Sequence, residues 1–138
     1  MKPVLVPHAD YQSFVIQELQ HHFSNGLLLL CKNDWPVILK SFITDLSGVT
    51  LLLQDDYSTL GPEPRDPASM MRSYLLMLRV RPDIGVTKWV DQLQTNRLYA
   101  ILSGFEPGDV PGVGTFYDFF ARLWGKYAKS LTRTSRNQ

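Results

Sequence analysis

Apolar residues recur along this chain at spacings of three and four, the period of a helix buried on one side, and nowhere alternate in the period-two manner of a strand. Phe14, Val15, Leu19 and Phe23 form the first stripe, on a helix that Asp10 can cap and that "SNG" stops at Gly26. Ile38, Leu39, Phe42, Ile43 and Leu46 form the second, entered through Asn33 or Asp34 with Pro36 in the first turn, and Gly48 lies just past its end. "VTLLLQ" fits a short helix or a strand; the helix is preferred because no partner strand is evident. "GPEPRDP", residues 61–67, reads as an extended linker.

Beyond that linker, Asp66 caps and Pro67 opens a helix to about Val80, which "RPDIG" stops. Thr87 caps a short helix with Trp89, Val90 and Leu93 inward, and Asn96 caps another with Leu98, Ile101 and Leu102 inward and Gly104 at its exit. After the loop "EPGDVPGVG", Thr115 caps the last helix and Asp118 makes a T-x-x-D capping box. The pattern predicts an all-α, compact multi-helix domain of six or seven helices with a helix-turn-helix-like C-terminal half. It divides into a helical segment 1–60, a second 61–130 and a basic tail 131–138.

Charge changes this picture. The net charge of +1 conceals two opposed halves: residues 1–64 carry three Lys/Arg against seven Asp/Glu, residues 65–138 eleven against six. An anionic partner for the second half is the implication. No apolar run approaches the roughly 20 residues of a membrane span, and "MKPVLVPH" lacks the apolar core of a signal peptide. Cys31 is the only cysteine. A cytoplasmic setting is therefore expected.

Catalytic chemistry finds little footing. Asp55 and Asp56 are adjacent and point apart on a helix or a strand, His21 and His22 are adjacent with His8 far away, and Cys31 lacks a second cysteine for zinc. Cys31 with a histidine could form a nucleophile on paper, but a buried structural thiol is the simpler reading. "GDVPGVG" lacks the Lys and Ser/Thr of a phosphate loop. No catalytic residue, metal ligand, cofactor or small-molecule substrate is expected.

The basic residues of the last helix are the stronger signal. Phe116, Phe120, Leu123 and Tyr127 cluster within about 60° on a helical wheel, whereas Arg122, Lys126, Lys129 and Arg133 form a stripe roughly 120° away. Arg65, Arg72 and Arg79 make a second line at seven-residue spacing. A solvated face is the ordinary explanation of either line. The absence of an interleaved acid and a glycine-flanked helix start favour a phosphate-binding role for the first. A membrane-lying helix fits less well, because the aromatic face is needed for the core.

Residues 57–124 carry, in order, the entry "GPEPRDP", the helix "SMMRSYLLMLR", the pair "WVDQLQTNRLYAILSGF" and the ending "PGVGTFYDFFARL". This ordered set resembles the N-terminal domain of bacterial insertion-sequence transposases of the DDE class. The resemblance implies a helical DNA-binding domain that precedes an RNase H-like domain, whose three carboxylates hold two metals. No Asp or Glu follows Asp118, so the implied module binds transposon ends without cutting them. Arg122, Lys126, Lys129 and Arg133 would contact phosphates, and Thr115, Tyr117 and Asp118 would face bases. The alternative is a protein-interaction module in which the acidic half, or the helix of Met70, Met71 and Met77, pairs with another copy for synapsis. Those methionines also fit a core.

Overall fold

The computed structural model describes residues 1–136, with side chains through Tyr127. Seven α-helices and no strand occur among the described residues: α1 (His8–Ser24), α2 (Asp34–Ile43), α3 (Gly48–Leu53), α4 (Pro67–Val80), α5 (Val86–Thr95), α6 (Arg97–Ser103) and α7 (Val113–Arg136), with a 3-10 turn (Gln54–Asp56) after α3. The fold is all-helical. The stretch "VTLLLQ" is helix α3 and its following turn.

Local chemistry sets the ends of α4 and α6. The Asp66 carboxylate accepts from the Ala68 N–H, and Pro67 in the first turn has no N–H to leave unpaired. Asn96 Oδ1 accepts from the Tyr99 N–H, and Gly104 ends α6 in the left-handed region at φ 98°. Three other starts differ from the expected caps. α1 begins at His8 behind Pro7, so Asp10 lies inside the first turn without a capping bond. α5 begins at Val86 behind Gly85, with Thr87 inside it. α7 begins at Val113, so Thr115 is within the helix and the T-x-x-D pair is not its capping box. In each case a proline or glycine immediately upstream lets the chain enter the helix before the polar residue is reached. Gly48 opens α3 instead of following α2, which ends at Ile43 with extended Thr44 behind it.

α4 and α6 form the centre. α4 packs on α6, α3 and α7, while α6 also receives α1, α2 and α5. One buried cluster joins Tyr11 and Val15 of α1, Ile38 of α2, Leu53 of α3, Met70 and Met77 of α4, Trp89 and Leu93 of α5, Ile101 and Leu102 of α6, and Phe116 and Phe119 of α7. The methionines Met70 and Met77 thus fill the core, as does the whole inward set of α5 and α6. Two buried polar groups cross between elements: the Tyr11 hydroxyl donates to the Leu102 carbonyl at 2.6 Å, and Trp89 Nε1–H donates to Ser73 Oγ at 2.9 Å.

Other stripe members point outward. Phe23, Leu39, Ile43 and Tyr127 are exposed, because the helices before them are covered on a narrower arc than the periodicity allows. Cys31 is exposed too, its thiol 3.2 Å from the Asp34 carboxylate. The loop after "LLLL" runs over the surface. No single helix among the described residues is long and apolar enough to cross a membrane.

Candidate nucleic-acid interface

The face of α7 that carries the basic stripe meets the acidic half of the chain. Arg122 lays its guanidinium over the ring of Tyr57, 3.9 Å from the centroid, a cation–π contact with a buried aromatic. Burial pushes the Tyr57 hydroxyl pKa up, and the Arg122 charge opposes that shift. Lys126 Nζ lies 3.4 Å from Asp56 Oδ2. The stripe therefore has acids beside it, contrary to the expectation from local sequence. One of them, Asp56, arrives from 70 positions upstream.

Around these side chains lies an open cleft of about 430 Å³ lined by Asp56, Asp118, Ala121, Arg122, Gly125 and Lys126. At 100° per residue Asp118 falls on the same side of α7 as Arg122 and Lys126, which explains its place in the lining. Ala121 and Gly125 leave the helix backbone approachable between the two cations, and no atom stands within 4 Å of a Cβ built on Gly125. A second cleft of about 320 Å³ is lined by Tyr57, Arg65, Thr115, Asp118, Phe119 and Arg122, among others.

Asp118, Arg122 and Lys126 thus share the first cleft, and Thr115 shares the second with Asp118 and Arg122. Tyr117 lines neither: it is exposed on another side of α7, edge-on to Phe120. Lys129 and Arg133 lie outside the residues whose side chains are described. The second arginine line does not form one surface. Arg65 donates to the Asp109 carbonyl at 3.0 Å and carboxylate at 2.8 Å, Arg72 is buried against Tyr11, and Arg79 is exposed.

Asp55 and Asp56 reach different cations, Lys2 at 3.3 Å and Lys126 at 3.4 Å, as neighbours pointing apart must. His22 pairs with Glu18 at 3.1 Å, and His8 Nε2 lies 3.0 Å from the Phe42 carbonyl. Among the described residues no group of three or more His, Cys, Asp or Glu could hold a metal.

A third feature is apolar. Leu19, Gln20, Phe23, Leu30 and Trp35 line an open groove of about 380 Å³ between the end of α1 and the start of α2. The partners that define the α7 clefts, Tyr57 for Arg122 and Asp56 for Lys126, have no local signal, since each contact spans more than 60 residues. Comparisons with protein-family models, with curated proteins and with solved structures find no match to this chain.

Proposed function

We propose that this chain is a DNA-docking module of the transposase N-terminal type, which binds transposon ends through α7 and does no chemistry on them. The observation that supports the reading best is the cleft of α7, where Arg122 and Lys126 flank the low, unobstructed steps of Ala121 and Gly125. A phosphodiester backbone can approach a helix closely at such a site, and paired cations there supply the sequence-independent part of the affinity. Docking is an exchange: a phosphate entering the cleft takes Lys126 from Asp56. Lys129 and Arg133 continue the basic sequence and add phosphate contacts, while Thr115 lines the second cleft with Asp118 and Arg122.

A gel shift with the element's terminal repeats against random competitor tests specificity across a salt series. Affinity falling by roughly 0.9 log units per log unit of salt for each phosphate contact is the expected behaviour. Equal affinity for both duplexes removes specific recognition, and Mg²⁺-dependent cleavage by the purified chain removes the non-catalytic assignment.

A second reading, self-association for synapsis, is favoured by the apolar surface of α1 and α2, where Phe23 is 60% and Ile43 71% exposed. Sedimentation across a concentration range decides it. A strict monomer at high concentration counts against it.

A further inference from the structure

Arg72 is the one buried arginine among the described residues, 5% exposed at the centre of α4. Its guanidinium covers the Tyr11 ring at 3.8 Å, and Nη1 lies 3.5 Å from Ser69 Oγ. The Nε and Nη2 N–H groups meet no acceptor among the described residues. Buried donors of a charged group are rarely left this way, because desolvation is then uncompensated. The two carboxylates that feel the charge of Arg72, Asp66 and Asp45, have commitments elsewhere. Asp66 accepts from Ala68, Ser69 and Thr50, and Asp45 accepts from the N–H and hydroxyl of Ser47.

Arg72 also lines a cavity of about 90 Å³ between α2 and α4, together with Lys40, Ser41, Thr44 and Arg79. Its remaining walls are Leu46, Leu75 and Leu76, and no acid lines it. Arg72, Lys40 and Arg79 thus line one small, mostly apolar space whose own walls hold no carboxylate. Thr44 Oγ1 donates to the Lys40 carbonyl, which leaves the Ser41 hydroxyl as a further donor. The volume well exceeds the ~10–15 Å³ that one water needs, yet is too small for a nucleotide. Apolar walls strengthen any ion pair made inside them.

We propose that this cavity is a binding site for a single phosphate-class oxyanion, held by Arg72, Lys40 and Arg79. The site belongs to α2 and α4, so it stands or falls independently of DNA docking on α7. Its ligand is either free inorganic phosphate or one phosphodiester of a nucleic-acid backbone, which present the same oxygens.

The test titrates inorganic phosphate into the full chain at constant ionic strength, with chloride as the matched control, and reads thermal unfolding and the ³¹P linewidth. A phosphate-specific rise of several degrees in Tm and ³¹P broadening are expected, since a ligand that binds only the folded state stabilises it. The exposed pair Lys40→Gln/Arg79→Gln should fold normally and weaken phosphate at least tenfold. Arg72→Lys, which keeps the charge but loses the fork of donors, should weaken it further. Should Arg72→Lys fail to fold, the Lys40/Arg79 variant decides alone. A random duplex that displaces phosphate from the ³¹P signal identifies the backbone as source; failure to displace identifies free phosphate, and both keep the site. Identical Tm in phosphate and chloride, or a shift undiminished in the double variant, overturns it.

Discussion

Lys126 reaches across to Asp56 at 3.4 Å, one helical turn beyond the point where Arg122 lies over Tyr57. The pair is partly exposed, with side chains 34% and 24% accessible, so it is worth at most about 1 kcal/mol to the fold. For a phosphate docking as proposed, the pair has a larger consequence, because the Asp56 carboxylate already engages Lys126.

Asp56→Asn should therefore strengthen binding to duplex DNA of any sequence, by about threefold to tenfold, and leave stability within about 1 kcal/mol of the parent. The slope of log K against log salt should steepen by up to about 0.9, the contribution of one freed cation. Lys126→Ala should do the reverse on affinity with a similarly small change in stability. Filter binding across a salt series and urea unfolding make both measurements. Weaker DNA binding by Asp56→Asn would show that the cleft is not where phosphates sit and that Lys126 serves only the fold.

How far the sequence reveals this arrangement depends on how local each cause is. Asp66 followed by Pro67, Asn96 before its helix and Gly104 after it act within four residues, and their helices end where the pattern places them. The inward residues Trp89, Val90, Leu93, Leu98, Ile101 and Leu102 are legible for the same reason, since their helices are short and covered on one side. Arg72 and Arg122 illustrate the limit. Each reads as part of a basic line, yet one is enclosed against Tyr11 and the other lies over Tyr57. Periodicity gives the side of a helix but not what the distant chain lays against it. Cys31 shows the same limit in reverse: a thiol after four leucines has the composition of a core segment, and only the path of the loop puts it at the surface.

Two glycines separate backbone strain from steric contact. Gly104 and Gly61 both have positive φ, 98° and 93°, but a Cβ on Gly104 would stand 2.7 Å from Ser69 Oγ, whereas nothing lies within 4 Å of one on Gly61. Gly61→Ala should cost about 1 kcal/mol, the price of an L-residue in the left-handed region. Gly104→Ala should cost more than about 2 kcal/mol, since the hydroxyl of Ser69 must also move. Ser69→Ala in the Gly104→Ala background should recover part of the excess, a coupling that Gly61→Ala with Ser69→Ala lacks. Equal destabilisation by the two glycine substitutions in urea unfolding would mean that α4 yields freely at Ser69.

Tyr11 makes stability depend on pH at the alkaline end. Burial pushes its pKa up from 10.0 to about 12, against the opposing pull of Arg72. The folded state therefore holds the phenolic proton more tightly than the unfolded chain. The corresponding stability is fully present below pH 10 and is lost as pH rises from about 10 to about 12, amounting to roughly 3 kcal/mol over that window. Tyr57 and Tyr99 are also raised by burial and add to the same loss, which fixes the control that is needed. Tyr11→Phe should be less stable at neutral pH by about 1 kcal/mol, because the Leu102 carbonyl loses its 2.6 Å donor. Between pH 10 and 12 its stability should fall less steeply than the parent's, so that the two curves meet and cross, leaving the variant the more stable near pH 12 by roughly 2 kcal/mol. The remaining slope belongs to the other two tyrosines. Urea unfolding at closely spaced pH values measures both curves, and curves that stay parallel through this window would show that the proton on Tyr11 is not coupled to folding.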